Sequence, residues 1–547
     1  MVSPAEAQPR HTYLLWHPFK HPTANGHEAA IAVSRKWGDS INSVYSVLLE
    51  ILLIQALQFL VLVFIYIGNR SSSDFIHLAN TLFYENEPTT VVLRMLNGLT
   101  GRGGGQNPIR LLSQHSVIRG YERMALLISV GLTLLLVPKI IPAFAIHGLL
   151  IGIAAPVDPA SIYVPQSPYF RNYADAGRQI PLEVLARPRI LRAVGQVETA
   201  SADLQAKVSV TPPVVLQDLG RGEKIMKVDY NYSLTAQDFG LQNFHGLELS
   251  VTGSCRTEYG WLKSNYFGYY DAYGLPTDWY YIFNDSLTYW SATPLYGYMP
   301  MAYSQLIDIS TNMNKSYAIM ISSMQCQSIT IGTDPWYLTE TTGAPSISAN
   351  NDTVYNVTRG RPGLSCWQSD EWTYKGRSSS TWNLPNVSGL NFPSALRDVF
   401  YTQIGSPSIY NMVSSLGSIA LQSDTTSQVF TIDAGNSSIY NDMRRLVLTS
   451  YIATTNLLLD TTLYDTNNTY ALPSIVSPDK LDQVAQFVVY DEQIATISLA
   501  FAIALPIGTL LLFAMVKSLK YHIKPKVLDG GNGTSKVVVK IDAAGKA

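Results

Sequence analysis

Apolar positions are spread unevenly along this chain. Three runs stand apart, at 44–67, 124–155 and 491–516. The first, Val44 to Ile67, is about 36 Å long as a helix, enough to cross a bilayer with some tilt. Glu50, Gln55 and Gln58 interrupt it within a sector of about 140°, and such a polar stripe is expected to face a neighbouring helix or the interface rather than to form a proton path. The second run, Met124 to Ala155, would be about 48 Å as a straight helix, too long for one untilted span. Pro138 and Pro142 flank Lys139 inside it, so a single kinked span is predicted, with a helical hairpin as the alternative. The third run carries Pro506 as a kink.

Between the second and third runs the pattern changes twice. Pro156 to Arg192 is Pro-rich and reads as a linker holding a short helix at most. From about Lys207 the period is two: Met226, Val228, Tyr230, Tyr232 and Leu234 alternate with polar residues, as do Leu247, Leu249, Val251 and Gly253. Segments 316–331 and 353–358 continue the strand pattern. After Pro393 the period lengthens, predicting helices over 394–404, 409–421 and 437–464, the last capped by Ser437 or Ser438. Ser477-Pro478-Asp479 opens a further helix expected to run into the third apolar run. The fold class expected is a membrane protein with α-helical spans and a large α+β ectodomain, β-rich in its first half and helical in its second. Its segments are 1–43 N-terminal, 44–67 and 124–155 spans, 68–123 a connecting loop, 156–490 ectodomain, 491–516 the last span and 517–547 a basic cytosolic tail.

Composition explains part of this layout. Hydrophobic residues make up 47% of the 547 and charged residues only 14%, because the apolar runs dilute the charge. A net charge of −2 gives no pull towards nucleic acid. Residues 1–43 lack a secretory core and cleavage site, so the first span reads as an uncleaved signal anchor. Lys517, Lys520, Lys524 and Lys526 follow the third run and place the tail in the cytosol, with 156–490 outside. Arg70, Arg119 and Arg123 keep the loop inside, while Arg35 and Lys36 leave the side of the N-terminus open. GRGGGQ at 101–106 lacks the following Lys and Ser or Thr of a phosphate-binding loop and reads as a flexible connector.

Candidate chemistry lies in the middle stretch. Asn-x-Ser/Thr sequons begin at Asn231, Asn284, Asn314, Asn351, Asn356, Asn386, Asn436 and Asn467, about twice the number chance would place there. Asn69 and Asn532 also head sequons but are expected to stay bare, one beside a span and one in the tail. The cysteines Cys255, Cys326 and Cys366 allow one disulfide; sequence does not choose the pair, and Cys326 with Cys366 closes the shorter loop and is preferred. Aromatic residues crowd 259–298, and Trp261, Trp279 and Trp290 are the candidate platform for a sugar or a flat ligand. Self-packing of a Tyr-rich β-core is the competing explanation. Asp370 and Glu371, beside Trp367 and Trp372, are the one acid pair considered for glycan hydrolysis. His245 is the sole histidine of 156–490, and no metal motif, catalytic elbow or cofactor motif is present.

The run DFGLQNFHGLELSVTGSCRTEYGWL (Asp238 to Leu262), the run LSCWQSDEW (Leu364 to Trp372) and the layout of spans resemble large membrane glycoproteins of filamentous fungi, some encoded in secondary-metabolite gene clusters. The resemblance implies the same membrane arrangement and carries over no catalytic residue. Relatives of this layout often have a second cysteine soon after the one matching Cys366, and 372–376 offers none. The function expected is a non-enzymatic membrane glycoprotein whose ectodomain binds a glycan, small molecule or protein partner. An accessory protein of a biosynthetic pathway and an acid-pair enzyme acting on extracellular glycans are the alternatives. No cofactor, metal or nucleic acid is expected, and the lipid bilayer is the one partner common to the first two.

Overall fold

The computed structural model describes residues 12–67, 148–165, 176–270, 276–282, 287–292, 301–308, 313–322, 327–340, 346–347, 353–358, 361–426, 431–464, 473–522, 525–528 and 536–539. Its main elements, in chain order, are β1 (Pro18–Thr23), β2 (Gly26–Ser34), α1 (Arg35–Ile67), β3 (Leu150–Gly152), α2 (Ala176–Glu198), β4 (Val208–Val210), β5 (Val214–Gly220), β6 (Glu223–Thr235), β7 (Leu247–Glu258), β8 (Leu262–Tyr270), β9 (Pro276–Ile282) and β10 (Leu287–Ala292). There follow β11 (Met301–Asp308), β12 (Asn314–Ser322), β13 (Gly363–Tyr374), α3 (Ser394–Ile404), α4 (Ser408–Leu416), α5 (Ile439–Thr455), β14 (Ile494–Ser498) and α6 (Leu499–His522). They form two compact units, one of Met1–Leu14, Lys20–His27 and Pro156–Val489, the other of Leu15–Phe19, Glu28–Ala155 and Tyr490–Ala547.

The larger unit is built on an eight-stranded sheet with the order β11-β12-β13-β7-β6-β4, to which β5 adds on β6 and a short strand at 377–379 adds on β13. Alternation sets its faces. In β7, Leu247, Leu249 and Val251 are buried while Glu248 and Ser250 are half-exposed and Thr252 is exposed. Helices α3, α4 and α5 cover one face. Ser438 caps α5 by accepting from the Asn441 N–H at 3.1 Å. The Tyr232 and Ser450 hydroxyls meet at 3.0 Å between β6 and α5, and the Tyr232 and Tyr451 rings are edge-to-face at 5.7 Å. An apolar core runs through this unit, with Trp336, Trp372, Tyr317 and Phe400 among its largest fully buried side chains.

Two expectations fail here for tertiary reasons. The supposed linker contains α2, which runs through Pro181 and Pro188; Ile190, Ala193 and Val194 are buried, and that packing outweighs the proline cost. The helix opened by Ser477 stops at Val484, and β14 stands between it and the last apolar helix.

In the smaller unit β14 lies between β2 and β3, with Ala30 opposite Ser498, Ser34 opposite Ile494 and Ile497 opposite Leu150. The side chains of Val33, Leu149, Ala495 and Ile497 form its core, with Tyr45 and Phe501 packed on them. The last residues of the expected second span are therefore sheet, not helix, and 124–147 lies outside the described residues. The expected third span begins at Leu499 rather than at 491, and the first helix starts at Arg35 rather than at 44. Two stretches, Arg35–Ala56 and Leu499–Tyr521, are long and apolar enough to cross a membrane.

Helices α1 and α6 lie side by side and point the same way. Gly38 abuts Ala495 so closely that a Cβ on it would meet the Ala495 Cβ at 2.3 Å. One helical stage on, the Tyr45 hydroxyl donates to the Ala502 carbonyl at 2.8 Å. Further along, a Cβ on Gly508 would sit 3.4 Å from Leu52. Gly38 thus lets the start of α1 sit against β14, and Gly508 leaves room for Leu52 between the two helices.

Candidate functional site

Residues 236–246 join β6 to β7 and carry much of the first run singled out in the sequence. This loop is pinned at every turn. Asp238 accepts from the Thr235 N–H at 2.8 Å and from its hydroxyl at 2.7 Å. Burial opposes the Asp238 charge, but those bonds and the Lys207 ammonium together hold its carboxyl below the usual range. Phe239 enters the core, with its ring centroid 5.6 Å from that of Trp372 and 5.2 Å from that of Phe400. The Gln242 N–H donates to the Gln486 carbonyl at 2.9 Å, and the Asn243 amide donates to the Gln486 side chain at 3.1 Å. Lys20 donates to the Asn243 side-chain oxygen at 3.0 Å, tying in the β1–β2 hairpin.

The tip of the loop is held in an unusual conformation. Phe244 has φ +70° and Gly246 φ +84°. A non-glycine residue in the left-handed region is strained, and the Phe244 ring is held 5.0 Å from that of Phe392. Between them His245 is exposed and stands edge-on to His27, ring centroids 6.5 Å apart. The hairpin tip and the loop line a cavity of about 230 Å³, with Thr235, Gln237, Asn243 and Glu248 among its walls and Ala236, Leu241 and Leu247 as its apolar part. Hydroxyl, amide, imidazole and carboxylate groups here suit a small polar molecule. Sequence reasoning saw one histidine; the second comes from more than two hundred residues away, and only the fold brings it in. Among the described residues no three His, Cys, Asp or Glu side chains converge to hold a metal ion.

The sites expected from sequence are placed as follows. Asn231, Asn314, Asn356, Asn386 and Asn436 are all exposed. Asn284, Asn351 and Asn467 lie outside the described residues. The disulfide joins Cys366 to Cys255, not to Cys326. These two are direct partners on the antiparallel strands β13 and β7, with Cα atoms 4.1 Å apart, so register rather than loop length chose the pair. Cys326 lies outside the described residues. Trp261 is only 5% exposed, with its ring against Gly363, and presents no face to a ligand. Trp279 and Trp290 are opposite each other in the β9–β10 register, within a three-stranded sheet separate from β7.

The acid pair is split by the strand's alternation. Asp370 is buried, where Lys315 and the Gln368 amide donate to it, while Glu371 is half-exposed on the other face. Lys315 also donates to the Ile404 carbonyl at 2.8 Å, and Tyr230 donates to Gln368 at 3.1 Å. A second buried cluster lies at the start of α5. Tyr337 donates to Asp442, and the Ser423 N–H donates to the other Asp442 oxygen at 3.0 Å. Burial, above all, pushes the Asp442 carboxyl up to about 7 against those bonds, and likewise pushes Asp334 up to about 6. Asp334 accepts from the Trp336 N–H at 2.9 Å and the Ile439 N–H at 3.1 Å. Both clusters spend their polar groups on the fold itself.

Residues 187–489 match the family described as Domain of unknown function (DUF8406). No curated protein and no solved structure matches the chain.

Proposed function

The chain belongs to the DUF8406 family, and from that premise we propose that it is a membrane-anchored, glycosylated binding protein whose 156–489 body lies on the non-cytosolic side. The observation that carries this reading is the parallel pair α1 and α6. They leave opposite ends of the antiparallel β2–β14 pair, α1 after Ser34 beside Ile494 and α6 after Ser498 beside Ala30, and along both, exposed apolar side chains face outward, among them Val47, Ile51, Ile507, Leu510 and Phe513. A hydrocarbon environment is the physical setting in which such faces are stable.

Chain direction extends the reading. With α1 across a bilayer, Ile67 is on the far side, yet Gly148 and Leu149 are back beside Phe501 and Val33 at the near end. In this arrangement the N-terminus is on the same side as the body, and the lysines after α6 are cytosolic. The five exposed sequon asparagines accord with a glycosylating compartment, and the Cys255–Cys366 bridge with an oxidising one. The ligand site is the cavity between the hairpin tip and the β6–β7 loop, sized for one small polar molecule.

The test is topological. The 547-residue chain is expressed in a glycosylating eukaryotic host, and intact vesicles are treated with protease from the cytosolic side, then, after the protease is inactivated and the vesicles are lysed in detergent, with an N-glycosidase. The body survives as a protected fragment that loses mass on deglycosylation. Digestion of the body from the cytosolic side, with no glycan released, overturns the proposal.

A further inference from the structure

Two tryptophans in the smaller unit are exposed where large aromatic side chains are usually covered. Trp16 is 52% and Trp37 58% exposed, and their rings meet edge-to-face at 6.0 Å. Trp37 sits in the first turn of α1. Trp16 precedes β1 and has φ +63°, a strained conformation for a residue of its size, fixed by its N–H donating to the Ala32 carbonyl at 2.7 Å. Backbone strain at Trp16 thus holds an indole out beside the helix end instead of folding it in.

Their level along the helices matters. Val44, the first strongly exposed apolar residue of α1, is about 10 Å further down the helix. At the other end, Tyr521 is exposed at the last turn of α6, next to Lys517 and Lys520. Passing from Trp37 to Leu52 on α1, across to Gly508 and down α6 to Tyr521 covers about 42 Å. That separation falls within the ~40–45 Å of a bilayer including its headgroup regions. Arg35 and Lys36 adjoin Trp37 and are exposed, Arg35 3.7 Å from Asp39. Amphipathic rings with flanking cations are the pattern of a membrane–water boundary, where the indole body meets acyl carbon and its N–H meets water or headgroup oxygen.

We infer that Trp16 and Trp37 form an interfacial clamp that lies among the lipid headgroups at the non-cytosolic end of α1 and sets the depth at which the β2–β14–β3 sheet rides on the membrane. The occupant of this surface is the phospholipid headgroup layer, continuous with the lipid around α1 and α6. This rests on the membrane reading above, and it goes beyond it by assigning two side chains to a depth.

The experiment uses the full chain in phosphatidylcholine–phosphatidylglycerol nanodiscs, with and without lipids carrying a nitroxide at carbon 5 or carbon 12 of the acyl chain. The emission of a Trp16→Phe/Trp37→Phe double variant is subtracted from that of the parent, leaving the signal of the two indoles. That signal should be blue-shifted and lose at least half its intensity to the shallow nitroxide. The deep nitroxide and aqueous iodide should quench it by less than a fifth. Strong quenching by iodide with none by either nitroxide overturns the clamp, whether the pair then faces water, a glycan or a protein. Protease protection of the 499–521 fragment is measured in the same discs. A protected fragment with unquenched indoles removes the clamp alone, whereas an unprotected fragment removes the membrane reading as well. The single variant Trp37→Phe, on an unstrained helix, gives the same readout if the Trp16 substitution disturbs folding.

Discussion

Replacing Asp442 with Asn should flatten the dependence of stability on pH. The Asp442 carboxyl is fully buried at the start of α5, and burial raises it to about 7, while an unfolded chain titrates it near 3.8. Between those values the folded state holds a proton that the unfolded state has released. Stability from this group is therefore greatest below about pH 4 and falls as pH rises, levelling off above 7. From pH 5 to 7.5 the loss works out at about 2–3 kcal/mol for Asp442. Asp334, raised to about 6, adds about 1 kcal/mol in the same direction. Carboxyls with lowered values, such as Asp238 and Asp433, are ionised in both states over this window and do not oppose the trend. The assay is urea unfolding of the detergent-solubilised chain at pH 5, 6, 7 and 7.5, followed by tryptophan fluorescence. The parent should lose stability steadily across the series, and Asp442→Asn should lose less than half as much. A parent whose midpoint is unchanged from pH 5 to 7.5, or a variant that keeps the full slope, would refute the reasoning.

Other perturbations test separate parts of the fold. Gly253→Ala would place a Cβ 2.2 Å from the Tyr230 ring and push its hydroxyl from Gln368 and Tyr317, so a loss of about 2–4 kcal/mol is expected by chemical denaturation. Cys255→Ser with Cys366→Ser opens a bridge spanning 111 residues and should lower the unfolding free energy by about 4 kcal/mol, while Cys326→Ser should leave the bridge intact by mass spectrometry of unreduced peptides. Asn→Gln at Asn231, Asn314, Asn356, Asn386 and Asn436, one at a time in a glycosylating host, should each remove one step from the mass ladder; a ladder unmoved by all five would exclude glycosylation at the described sites.

Local patterning determined much of this protein by itself. Period-two alternation marks β6 and β7, the longer period marks α3 to α5, and the Ser437–Ser438 pair announces the α5 cap, because side-chain direction along a strand or helix is fixed by backbone geometry within a few residues. Length and hydropathy likewise mark the two apolar helices. What the tertiary structure alone decided depends on neighbours distant in the chain. Cys255 opposes Cys366 through sheet register. Packing of Ile190, Ala193 and Val194 overrides the prolines of α2, and β14 interrupts what reads as continuous helix. Trp261 is withdrawn into the core against Gly363, Asp370 is turned inward to Lys315, and His27 is carried to His245 by a hairpin at the other end of the chain. Each of these outcomes is a contact between surfaces rather than a preference of a segment, and a linear pattern records preferences only.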